Sequence, residues 1–239
     1  MTLPPSPSER LIVALDVKNR QDALGLIERL PGASIFKVGL ELFTAEGPGL
    51  LREIGASGKK VFLDLKLHDI PNTVAQAVRA GAGLGVRMMT LHASGGREMM
   101  ARAAEAAAQV SAKERIPRPL LLGVTVLTSL GDDDLGELGL SGNAQAHVLR
   151  LARLACQAGL DGIVSSAREI KAVRRETGKD ALIVTPGIRP AWAASDDQKR
   201  IMTPAEAIRA GADFLVIGRP VIRAADPQEA FDKILEEIA

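Results

Sequence analysis

In the stretch FLDLKLHDIPNTV, residues 62–74, Asp64, Lys66 and Asp69 break a run that otherwise reads as buried strand, in the spacing D-x-K-x-x-D. A lysine in such a place could serve as a Schiff-base nucleophile, which requires a neutral amine created by desolvation or a neighbouring cation. Lys66 instead has carboxylates on both sides, and these favour its charged ammonium form. It therefore reads as a proton donor and electrostatic anchor, suited to a reaction that creates a carbanion and then protonates it. Alternation along a strand sends Asp64 and Lys66 to one face and Leu63 and Leu65 to the other. Two buried ions cost about several kcal/mol each unless paired, and an apolar pair is often at least as stable, so function explains their presence better than stability does.

Other polar residues fall at comparable places. Asp16 closes LIVALDV, Lys37 lies in SIFKVGL, His92 ends VRMMTLH, Thr128 follows PLLLGVTVL, and Gly218 with Arg219 ends DFLVIGR. A salt bridge or a cap would account for any one of them alone. Two later loops, TPGIRP (185–190) and IGRP (217–220), each carry a glycine and an arginine. Glycine lets the backbone come close to a ligand, and a guanidinium grips phosphate oxygens with two parallel hydrogen bonds. The segment from Gly187 to Thr203 is long for a loop and is read as a mobile lid, with an ordinary surface loop as the alternative.

These residues need a frame that gathers them. Eight short, β-branched-rich apolar runs recur along the chain: 11–17, 34–40, 60–66, 86–92, 119–127, 161–166, 181–186 and 213–218. Between them lie alanine- and leucine-rich segments with helical spacing, including TVAQAVRAGAGLG and NAQAHVLRLARLACQAGL, several ending in glycine. Alternating apolar strands and amphipathic helices predict an α/β fold with a parallel sheet, and eight such units predict a single-domain (β/α)8 TIM barrel over residues 11–239. An open doubly wound sheet is the alternative, but the first turn, ALDVKNRQD, lacks the G-x-G-x-x-G of a dinucleotide fold. In a barrel, catalytic groups sit at the C-terminal strand ends and phosphate binds after strands 7 and 8, which is where the polar residues and the two Gly/Arg loops fall. His147 and Cys156 lie on a predicted amphipathic helix and read as packing residues, as His92 does beside the site. His68 shares the face of Lys66 unless the strand has already ended.

Composition narrows the function. The chain has 239 residues and a formal net charge of +1, which gives no electrostatic reason to expect nucleic acid or an anionic membrane as partner. Tyrosine is absent and aromatics make up 3%, so stacking surfaces for single strands are scarce. No apolar run approaches the ~20 residues of a membrane helix. Residues 1–10 contain no signal-peptide core and read as a flexible lead-in. The lone Cys156 excludes an internal disulfide and suits a cytoplasmic location.

Taken together, LIVALDV, FKVGLELF, DLKLHDIPNT, LHASGG, VTVLTS, TPGIRP, DDQKR and IGRP resemble the orotidine 5'-phosphate decarboxylases of the common bacterial type over nearly the whole chain. The resemblance implies a homodimer that converts orotidine 5'-phosphate to UMP and CO2 in pyrimidine synthesis, without metal or other cofactor. It places Asp64 near the substrate carboxylate and Lys66 as proton donor to C6, with Lys37 and Asp69 completing a charged array. It assigns Asp16 and Lys37 to the ribose hydroxyls and Thr128 to the pyrimidine edge. Arg189, Gln198, Gly218 and Arg219 match phosphate positions, and Pro186 a further substrate-binding position. Asp69, Ile70 and Thr73 match residues that enter the site of the partner subunit. Two other readings use the same features: a metal-dependent sugar-phosphate decarboxylase or epimerase, and a nucleotide-binding barrel without activity.

Overall fold

The β-branched runs form strands because neighbouring strands and helices bury both of their faces. A computed structural model describes residues 6–193 and 202–239. Its strands are β1 (Leu11–Ala14), β2 (Ile35–Gly39), β3 (Lys60–Leu67), β4 (Met88–His92), β5 (Leu120–Val124), β6 (Gly162–Val164), β7 (Leu182–Pro186) and β8 (Phe214–Ile217). Each pairs in parallel with the next, and β1 pairs with β8, so the sheet closes into the expected barrel.

The helices are α1 (Pro7–Arg10), α2 (Arg20–Glu28), α3 (Leu40–Glu46), α4 (Pro48–Ala56), α5 (Pro71–Gly83) and α6 (Gly96–Glu114). They continue with α7 (Asp132–Glu137), α8 (Ala144–Gln157), α9 (Ile170–Thr177), α10 (Pro204–Ala210), α11 (Arg219–Ile222) and α12 (Pro227–Ile238). Side-chain caps start several of them. Asn19, Asn143 and Thr203 each accept a backbone N–H of the following turn, so a donor that the helix leaves unpaired is satisfied. Within the expected lead-in, α1 is a helical turn whose Arg10 guanidinium donates to the carbonyls of Ala212 and Asp213.

Strand alternation divides the apolar residues into two cores. Leu11, Val13, Phe36, Leu63 and Leu121 face outward into one layer shared with the helices, whereas Ile12, Ile35, Phe62, Met88 and Leu122 fill the barrel interior. Packing inside the barrel is close enough to require Gly162, where a β-carbon would lie 2.3 Å from the Leu182 carbonyl oxygen. Apolar side chains therefore form the floor of the barrel. Polar ones appear above it, at the C-terminal strand ends.

Candidate active site

Four charged groups form a chain across the mouth between β1 and β3. Lys37 Nζ donates to Asp16 Oδ1 at 3.1 Å and lies 4.0 Å from Asp64 Oδ2, while Lys66 Nζ donates to the same Asp64 oxygen at 2.9 Å. Signs alternate along it, so each inner ion has an opposite charge on both sides. That arrangement offsets desolvation where the cost is greatest, since the side chains of Lys37 and Asp64 are 13% and 14% exposed. Gly39, the β2 partner of Asp64, helps make the room: a β-carbon there would lie 2.9 Å from Lys37 Nζ.

The third strand does more than alternate. Leu63 pairs with Met89 and Leu67 with Leu91, so a four-residue step on β3 faces a two-residue step on β4. The irregularity includes Lys66, whose φ of 51° puts a non-glycine residue in the left-handed region. Such a conformation costs on the order of 1–2 kcal/mol. One side chain secures it: Thr90 Oγ1 accepts the Lys66 backbone N–H at 2.9 Å and donates to Asp64 Oδ1 at 2.9 Å. Leu65 and Leu67 still pack outward against the helix layer, leaving Asp64 and Lys66 on the inner side, as alternation predicts.

A cavity of about 230 Å³ opens over this array, lined by Lys37, Phe62, Asp64, Lys66, Thr128 and Pro186 among others. Thr128 and Pro186 also border an adjoining space of about 700 Å³. Gly218 flanks Asp16, where a β-carbon would approach Asp16 Oδ2 to 3.2 Å. Neither Arg189 nor Arg219 lines either space. Arg219 opens α11 directly after β8, and the Arg189 N–H bonds the Met202 carbonyl at 3.3 Å, joining the two ends of the long loop. Gln198, and the part of the expected lid from 194 to 201, lie outside the described residues.

Asp69, Ile70 and Thr73 behave differently from the rest. All three are exposed, Ile70 at 67%, and Asp69 Oδ1 accepts the Ile70 N–H. Among the described residues Asp69 makes no ion pair with Lys37 or Lys66 of its own chain. The strand has ended before His68, so the turn follows at HD and α5 starts at Pro71. His68 is exposed, and its ring centroid lies 5.4 Å from that of His92. Burial above all, then the neighbouring His68 and Lys66, push the His92 pKa down, with Asp64 opposing. His147 is buried on α8, bonded to the Ser141 carbonyl and to Arg150, which is a packing and anchoring role. Cys156 is half-buried there, and burial pushes its thiol up.

Thr90 is the site residue that reading the sequence overlooked. Its signal was available: a lone hydroxyl at an inward position in the apolar run MMTLH, on the strand next to Asp64 and Lys66.

With this geometry, residues 9–234 match the model of the orotidine 5'-phosphate decarboxylase / HUMPS family. The chain belongs to that family. Relatives agree over nearly full length: an orotidine 5'-phosphate decarboxylase of Syntrophotalea carbinolica is 53% identical over 233 residues, covering 97% of this chain and 95% of its own. One from Vibrio campbellii is 50% identical over 232 residues, covering 97% and 98%. Among solved structures, orotidine 5'-phosphate decarboxylase from Lactobacillus acidophilus superposes with a TM-score of 0.87 at 38% identity, covering 96% of this chain and 99% of that one. An uncharacterized conserved protein from Geobacillus kaustophilus gives a TM-score of 0.85 at 37% identity, covering 96% and 100%. Membership of the decarboxylase family thus rests on the whole barrel as well as on the strand-3 motif.

Proposed function

We propose that the chain decarboxylates orotidine 5'-phosphate, the activity for which its relatives are named, and that the product is UMP. The observation that carries this reading is the Asp16–Lys37–Asp64–Lys66 chain of alternating charge, whose last three members line a cavity at the barrel mouth. Asp64 lies next to the leaving carboxylate. As the bond from C6 to that carboxylate breaks, the electron pair stays on C6 and CO2 departs. The Lys66 ammonium, already held in place, stabilises the carbanion and gives it a proton, then regains one from solvent. Fixed charge aimed at developing charge is the main source of acceleration in this scheme, with no cofactor required.

Lys37 and Asp16 bind the ribose hydroxyls, Thr128 reads the pyrimidine edge next to Pro186, and Arg189, Gln198, Gly218 and Arg219 hold the phosphate. Binding energy from that distant phosphate is available to close the site over the reacting carbon. The exposed Asp69, Ile70 and Thr73 enter the site of a second subunit, so the working unit is a homodimer. The lone cysteine and the small-molecule substrate fit a cytoplasmic enzyme of pyrimidine synthesis.

The test follows orotidine 5'-phosphate absorbance with purified, chelator-treated protein. Turnover that survives EDTA is expected. No turnover overturns the proposal, and turnover restored only by added Mg²⁺ reassigns the chemistry to a metal-dependent reaction.

A further inference from the structure

We infer that Thr90 is a positioning residue that sets both partners of the central pair: it orients the Asp64 carboxylate through one hydrogen bond and fixes the left-handed backbone of Lys66 through another. The kinetic arm of this inference rests on the decarboxylase reading. Its basis is geometric. Thr90 is fully buried on β4, at 0% exposure. Its hydroxyl has one proton to give and lone pairs to receive with. The proton goes to Asp64 Oδ1 at 2.9 Å, and a lone pair takes the Lys66 N–H at 2.9 Å.

Those two bonds fall where β3 is least able to hold itself. The ladder between β3 and β4 is out of step from Leu63 to Leu67, so Lys66 has lost the regular strand geometry. A side-chain hydroxyl takes up its N–H instead. Asp64 has two oxygens with different partners: Oδ2 faces the Lys37 and Lys66 ammonium groups, and Oδ1 takes the Thr90 hydroxyl. Rotation of the carboxylate would break contacts on both oxygens. Thr90 thus couples the orientation of the acid to the backbone that carries the proton donor, without touching substrate itself. Holding reacting groups to within a fraction of an ångström is the kind of contribution that appears in turnover more than in ground-state binding.

Thr90→Val keeps the shape and removes the hydroxyl; Thr90→Ser keeps the hydroxyl and removes a methyl. Expected for Thr90→Val is a fall in kcat of roughly ten- to hundredfold, the loss of one hydrogen bond to a charged group, with UMP affinity by calorimetry changed about twofold or less. Thr90→Ser is expected to recover most of the rate. The crystal structure of Thr90→Val, compared with that of wild type, is expected to show the Asp64 carboxylate rotated or Lys66 out of the left-handed region. Thr90→Cys, with a weak donor, takes the place of Thr90→Val if the latter does not fold.

A Thr90→Val enzyme with wild-type kcat, or a Thr90→Ser enzyme as slow as Thr90→Val, overturns the inference. So does a Thr90→Val structure in which Asp64 and Lys66 have not moved. Wild-type protein inert toward orotidine 5'-phosphate would instead sink the decarboxylase reading, and the structural comparison would still decide the role of Thr90.

Discussion

Lys66 Nζ reaches Asp64 Oδ2 at 2.9 Å although the Lys66 backbone has left the extended conformation of its strand, with φ at 51°. Residues two apart on a regular strand share a face at about 6.6 Å separation along it. Here an irregular stretch of backbone carries the ammonium that pairs with the acid. The pair belongs to the bent end of β3, and its roles can be separated by substitution.

Lys66→Ala should retain nucleotide binding and nearly abolish decarboxylation. Loss of the proton donor and of the charge facing the carbanion predicts a fall in kcat of at least about 10³-fold. Calorimetry with UMP and an absorbance assay give the two halves. Substantial residual turnover would mean that the proton comes from elsewhere.

Arg219→Ala should weaken orotidine 5'-phosphate through its phosphate. The expected loss in kcat/KM is roughly ten- to hundredfold, the scale of one charge-assisted contact. Orotidine, lacking the phosphate, should lose much less. Equal losses on both substrates would remove Arg219 from the phosphate site.

The exposed Asp69 gives a test of the homodimer. Lys66→Ala and Asp69→Ala proteins should each be nearly inactive, yet mixing and re-equilibrating them should restore activity. A mixed dimer regains one intact site of two, so roughly a quarter of wild-type activity is expected at equal ratio. A mixture as dead as its parents would place Asp69 outside the partner's site.

Gly162→Ala should destabilise the barrel while leaving the charged groups alone. Its new methyl would meet the Leu182 carbonyl oxygen at 2.3 Å, a clash with backbone that must be relieved by shifting β6 or β7. The expected cost is about 1–3 kcal/mol, read from the urea midpoint. An unchanged midpoint would show that the strands move apart freely.

His92 should make stability fall with acid. Because burial and neighbouring positive charge push its folded pKa down, the unfolded chain binds the extra proton first as pH drops below about 6.5. This contribution is fully present above that pH and is lost as pH falls toward the folded pKa. Urea midpoints between pH 7 and pH 5 should therefore decline less steeply in His92→Asn than in wild type. Parallel declines would show that His92 is not the source.

Periodicity was enough for the barrel. Apolar strands alternating with amphipathic helices have few ways to bury both faces, eight repeats without a glycine-rich first turn favour a closed barrel over an open sheet, and the C-terminal strand ends then locate Asp16, Lys37, Asp64 and Lys66. Face alternation also predicted the inward side of Asp64 and Lys66, because a two-residue period is a local property of extended chain. Local pattern could not reveal the register shift between β3 and β4, the left-handed Lys66 that goes with it, or the two hydrogen bonds by which Thr90 joins Asp64 to Lys66. Hydrogen bonds between strands depend on which residues end up opposite one another, and that is settled only when the sheet closes. The sequence by itself determined the fold and the residue types at its mouth; the tertiary structure decided how those charges meet.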